Sequence, residues 1–337
     1  MRFAKRVLAT LKAPYPLGTL RLGGEQCVAC STEDHGPLML VRPPYDHAEE
    51  ILPGPGGSMA LVEDPANPGE LFSIMGCFPG YKFQDAAVYR VRQEAGRWVL
   101  ARVVGLPFAH RIDFVTCAGT RYLVAASLAQ DKADPSDWSK PGCLYACPVP
   151  RRPSEAWTLT PVLEGIHRNH GLLVTSLQGK RCLLISGTEG LFRADLDQGL
   201  QFQEVMRKEV SEMAVADLDG DGEEELVTIE PFHGNTLCVY KQEKPAWKKA
   251  WEAPLAFGHG LLGGTLGGAP VILVSNRSDS RDLVAFHWPA GLERPSRTVV
   301  DAGVGAANML ILRHGDADLV FSTNQASGEI AAYLAEP

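Results

Sequence analysis

The sequence predicts an all-β fold, a single seven-bladed β-propeller spanning residues 1–337 and closed by an N-terminal strand. Three observations predict it. A unit of apolar strand, turn and second apolar strand recurs along the chain. The units follow one another at the period of a four-stranded blade. And 34 Gly with 24 Pro in 337 residues mean many turns and few long helices.

The units align on the residue that opens each first strand. "HRIDFVTCAGTRYLVAA" begins at His110 and reaches its second strand at Leu123; "HGLLVTSLQGKRCLLIS" runs from His170 to Leu183, and "HGLLGGTLGGAPVILVS" from His259 to Ile272, each an offset of 13. Units opening at Glu25 and Ser58 repeat the offset of 13, the unit at Glu212 has 14 and the unit at Asn308 has 11. Start-to-start spacings are 33, 52, 60, 42, 47 and 49 residues. Third strands such as "GLFRADL", "NTLCVYK" and "DLVAFHW" follow, then fourth strands such as "RWVLARV" and "RTVVDAG". A two-sheet sandwich does not explain a repeated offset. The last unit lacks a fourth strand, and "AKRVLATL", within residues 1–20, is expected to supply it and close the ring.

Composition narrows the function classes. A formal charge of −8 argues against nucleic acid or an acidic membrane as the main partner. The N-terminal apolar run "VLATL" is too short for a secretory leader and no membrane-length apolar stretch occurs, so a cytoplasmic protein is expected. Cys27 and Cys30 lie three apart on one expected strand, pointing to opposite faces, which argues against a zinc knuckle; the eight cysteines read as buried free thiols. No G-x-S-x-G supports a nucleophile-elbow hydrolase, and no G-x-G-x-x-G follows a strand.

"VADLDGDGEEELV" carries calcium-loop chemistry. Asp217, Asp219 and Asp221 alternate around Gly220, and a nine-residue loop closing on Glu225, with the main-chain carbonyl of Glu223 between, begins to supply the oxygens a hard cation needs. An EF-hand fails because position 12 of the loop is Thr228 and the flanks "EMAVA" and "ELVTI" read as strands. The loop is therefore expected to hold structural Ca2+ at a hairpin of the fifth blade.

With that loop, the pattern resembles the FG-GAP (VCBS) repeat family. "GIHRNHGLL", "ADLDGDGEEELVTIEPFHG", "FGHGLL", "DWSKPG" and "GVGAANMLIL" are further similar to the propeller domain of aldos-2-ulose dehydratase-type lyases, which act on keto-sugars. Members of that group carry cupin domains after the propeller, which this sequence does not include, so a partner subunit or homo-oligomer is a possible complement.

Residues that open successive inner strands of a propeller face one another across the channel. Here they are His110, His170, Glu212 and His259, with Asn308 on the substrate side, a set that suits zinc, manganese or another divalent transition metal. Candidate catalytic residues near the mouth are His167, Lys82 and Tyr81 in "GYKFQD", Trp138 in the long "DKADPSDWSKPG" loop, and His233, with Glu230 beside it in "IEPFHG". Trp138 could stack on a sugar ring, and Lys82 or His233 could move a proton.

Two functions follow from this reading. The first is a metal-dependent carbon–oxygen lyase or isomerase acting on a keto-sugar, the metal stabilising an enediolate as an α-proton leaves. The second is a non-catalytic propeller that binds a carbohydrate or protein partner, with calcium purely structural.

Overall fold

The computed structural model describes residues 1–80, 82–152, 155–243, 246–289 and 291–336. Strand β1 (Arg2–Thr10) opens the chain. Six blades follow: β2 to β5 (Pro14–Leu22, Glu25–Thr32, Leu38–Val41, Ala48–Leu52), β6 to β9 (Ala60–Glu63, Leu71–Met75, Ala87–Glu94, Arg97–Gly105), β10 to β13 (Ala109–Cys117, Thr120–Ser127, Gly142–Pro148, Thr160–Ile166), β14 to β17 (Gly171–Leu177, Lys180–Ser186, Leu191–Asp195, Gln203–Met206), β18 to β21 (Glu212–Ala216, Glu225–Glu230, Thr236–Glu243, Ala246–Pro254) and β22 to β25 (Gly258–Leu266, Ala269–Asn276, Leu283–His287, Ser296–Asp301). The seventh blade takes β26 to β28 (Ala306–His314, Ala317–Asn324, Glu329–Glu336) and completes itself with β1, which pairs antiparallel with β28 from Arg2↔Glu336 to Thr10↔Glu329. Each of the seven sheets is a four-stranded antiparallel meander, and no helix long and apolar enough to cross a membrane occurs among the described residues.

Two registers differ from the sequence expectation. Glu25 opens the second strand of the first blade, not its inner strand; the inner strand is β2. Residues 1–20 therefore divide: β1 closes the seventh blade, while Pro14 onward belongs to the first. The physical reason is that "APYPLGTL" hides a strand behind two prolines. Proline interrupts a ladder, and here Pro14 and Pro16 fall where the β2–β3 register shifts.

Blades hold together through the faces they press on one another. Second strands such as "YLVAAS" and "CLLIS" are buried on both faces, so they read as continuous apolar runs rather than alternations. One cluster joins Leu20, Ala29 and Leu38 of the first blade to Leu61, Leu71 and Val91 of the second. Another joins Val28, Cys30 and Met39 to Phe321, Ile330 and Leu8, which seals the last blade against the first. Inner strands approach closely: a Cβ on Gly18 would lie 2.5 Å from the carbonyl oxygen of Leu61 in the next blade. Small polar groups tie the same seams, as where Ser186 Oγ donates to Ser211 O and Ser58 Oγ to Ser31 Oγ. All eight cysteines are free and buried.

Candidate functional site

The starts of the inner strands meet at one end of the axis. His110 lies at the start of β10, His170 immediately before β14, Glu212 opens β18 and His259 stands at the start of β22. Ring centroids of His110 and His170 are 4.3 Å apart, and those of His170 and His259 5.5 Å. His233 joins them from the loop between β19 and β20, its ring 5.0 Å from His170 and 5.1 Å from His259. That loop is tied down because His233 N–H donates to Ser211 Oγ at 3.1 Å. The four rings line a cavity of about 120 Å³ together with Tyr15, Glu33, Met59 and Arg277.

Tyr15 is the residue the sequence reading missed. It is the first blade's counterpart of the histidines, buried at the head of β2, its hydroxyl 3.1 Å from His259 Nε2 and 3.4 Å from His110 Nε2. Asn308 does not face the cavity as a substrate contact. It positions Tyr15, its Nδ2 donating to Tyr15 O at 2.8 Å.

Glu212, expected as a metal ligand, stands as the counter-charge of Arg111. Arg111 Nη2 donates to Glu212 Oε1 at 2.7 Å, and the same oxygen lies 2.7 Å from His170 Nδ1. A buried carboxylate beside a guanidinium is already neutralised, which leaves little charge to offer a cation. Burial pushes the Glu212 carboxyl up, but Arg111 and His170 outweigh it and hold it below the usual carboxylate range. Burial dominates for the rings: His110 and His259 are pushed well below the ordinary imidazole value, helped by neighbouring cationic groups, and His233 down to about 2. Neutral imidazoles keep a ring lone pair. His259 Nδ1 donates to Ala307 O at 2.9 Å, so its lone pair is on Nε2, facing the cavity. His110 Nδ1, His170 Nδ1 and both side-chain polar atoms of Asn169 are buried with no hydrogen-bond partner among the described residues.

Of the other expected residues, none that is described lines the cavity. His167 is held by Glu189, Nδ1 to Oε1 at 2.6 Å, in the connection between β13 and β14. Lys82 is exposed and bonded to Phe78 through its backbone, and Tyr81 lies outside the described residues. Trp138 already carries a cation on its face, with Lys132 Nζ 3.2 Å from the ring centroid, so that face is not open to a sugar. Glu230 turns into its own blade: Thr228 Oγ1 donates to it at 2.7 Å, Tyr240 OH at 2.9 Å, and Lys208 pairs with it.

The acidic loop joins β18 to β19 as expected, and it contains a cation of the chain's own. Lys241 Nζ, from β20, pairs with Asp219, lies 2.6 Å from Asp221 Oδ2 and 3.5 Å from Glu225 Oε1. Asp217 instead accepts from the N–H groups of Gly220 and Gly222 at 2.8 and 3.0 Å, Glu225 Oε2 accepts from Leu218 N–H at 2.8 Å, and Glu223 N–H donates to Asp221 Oδ1 at 2.9 Å. The carboxylates of Asp217, Asp219 and Glu225 place one oxygen each within 4.8 Å of one another.

No family model matches the chain, and no curated protein does. Solved structures do. The β-propeller domain of Cps50 (Swd1) from Myceliophteria thermophila is 12% identical with a TM-score of 0.61, over 99% of this chain and 100% of that one. A chain in the crystal structure of the mitotic checkpoint complex is 9% identical with a TM-score of 0.65, over 100% and 91%. Sqt1 of Saccharomyces cerevisiae is 9% identical with a TM-score of 0.58, over 100% and 98%. At these identities the likeness establishes the fold, a seven-bladed propeller; the resemblance to FG-GAP repeats and to dehydratase-type lyases is not shown by a family model or by these three structures. The expected keto-sugar lyase is corrected on this ground: the similar structures are a propeller domain, a component of an assembly and Sqt1, which fit the non-catalytic alternative better.

Proposed function

We propose that this protein is a non-catalytic propeller that docks a protein partner on the axial mouth. The observation that carries the reading is an aromatic and cationic rim around the histidine cavity. Phe257, at 42% exposure, packs 4.8 Å from His233; Phe232 stacks on His233 at 4.0 Å and meets Trp138 at 5.3 Å; Arg168 lies over Phe232 at 5.4 Å, and Arg277 lines the cavity. Aromatic and guanidinium side chains around a concave centre are the composition that concentrates binding energy at protein interfaces. A similar fold within a checkpoint complex supports the same reading. Structural calcium in loop 217–225 belongs to this proposal only on the condition that it displaces Lys241.

The test is partner capture and identification with the full chain, followed by affinity measurement against Phe257→Ala and, as a remote control, Leu334→Ala on the outer rim. One rim anchor is expected to contribute about 2 kcal/mol, roughly thirtyfold in Kd. Equal affinity of Phe257→Ala, Trp138→Ala and wild type for the captured protein would remove the axial mouth as its docking face.

A further inference from the structure

We propose that His170, His233 and His259 form a metal site, in which their three Nε2 atoms take one divalent ion of the zinc or cobalt class. This inference stands apart from the docking reading. The metal chemistry rests on the ring nitrogens alone.

Ligand atoms of the three rings all lie within 4.8 Å of one another, and the Nε2 atoms of His170 and His233 face each other at 3.4 Å. Two ring nitrogens at that separation are placed to share a proton or a cation. The contact behind His259 shows where its lone pair is. His259 donates through Nδ1 to Ala307 O, which leaves Nε2 unprotonated. His170 Nδ1 lies 2.7 Å from the Glu212 carboxylate, an acidic group behind the ring, and its Nε2 is the nitrogen turned toward His233. Glu212 is itself pinned by Arg111. A carboxylate or a backbone carbonyl behind a histidine is the support that metal-ligating histidines receive, fixing tautomer and ring direction.

Rigidity and selectivity come from the fold. The ligands come from the residue that leads into β14, the start of β22 and one tied loop, three places of the chain that ring closure brings together. Three neutral imidazoles suit zinc, cobalt, nickel or copper and serve calcium or magnesium poorly. His110 stays outside the set: its Nε2 faces the Tyr15 hydroxyl, which reaches either His110 or His259 and so has a partner when His259 binds a metal. Tyr15 and the cavity leave the ion an open side.

The experiment strips the full chain with a chelator, confirms that it remains folded by circular dichroism, and titrates Co(II) while recording the visible d–d bands. Zinc uptake is measured in parallel by plasma mass spectrometry. One equivalent of either ion is expected. His233→Asn, which tolerates the positive φ of 46° at that loop position, is expected to lose both the bands and the ion. Asp219→Asn, in the acidic loop, is expected to keep them. Because a loop variant can disturb its surroundings, 15N imidazole spectra of wild type provide a second readout: zinc should move three Nε2 resonances together. A folded, stripped wild type that takes up neither ion overturns the proposal and leaves a His233–His170 ring-to-ring hydrogen bond. Equal uptake by His233→Asn and wild type also overturns it.

Discussion

Arg111 of the third blade and Glu212 of the fifth form a buried ion pair across the axis, Nη2 to Oε1 at 2.7 Å, with side-chain exposures of only 15% and 11%. The two residues are far apart in sequence and belong to blades that are not neighbours in the ring, so the pair exists only because the ring closes. Removing one partner leaves the other charged in a low-dielectric site. Arg111→Met is expected to cost about 3–5 kcal/mol in urea unfolding, whereas Arg111→Met with Glu212→Leu recovers most of that loss. A double variant no more stable than the single would show that the pair is not coupled.

The same pair sets a pH dependence. Glu212 is held below its ordinary value, so its contribution is present above the unfolded carboxyl pKa, about 4.3, and is lost as pH falls through the lower folded value. Stability measured from pH 6 downward should fall more steeply for wild type than for Glu212→Gln in this window. Parallel curves would refute the assignment.

Lys241 acts as the resident cation of the acidic loop. Its ammonium is held above the ordinary lysine value; burial opposes this, and the carboxylates of Asp219 and Asp221 outweigh it. Wild-type melting should therefore shift little with added calcium. Lys241→Met exposes Asp219, Asp221 and Glu225 to one another and is expected to melt lower without calcium and recover when calcium is added. Equal calcium shifts in the two proteins would mean that calcium occupies the loop with Lys241 in place.

Ring closure rests on β1. Leu8, at 6% exposure, packs with Val28, Phe321 and Ile330 where the first and seventh blades meet. Leu8→Ala is expected to destabilise by about 2–5 kcal/mol. Deleting residues 1–10 should do more, because it uncovers the edge of β28 to pairing with other chains. Size-exclusion chromatography of the deletion variant should show oligomers; a monomer of unchanged stability would count against closure by this strand.

Much of the fold was legible because the physics of a blade is local. A hairpin needs a turn at a fixed distance from the strand before it, and that distance recurs at His110, His170 and His259 whatever the rest of the chain does. The first blade escaped the same reading. Pro14 and Pro16 mask β2, and the apolar "CVACS" that follows resembles an opening strand, so Tyr15 was passed over.

By itself the sequence determined the number of blades, the strand that closes the ring, the acidic hairpin and the presence of histidines at equivalent inner positions. Tertiary structure alone decided what those groups do. Arg111 stands next to His110 in the chain, yet its partner is Glu212; Lys241 reaches back into a loop from the third strand of its blade; His233 enters the axial cluster from a connecting loop. Each is a contact between side chains whose separation depends on how blades and loops pack, and periodicity carries no information about that distance.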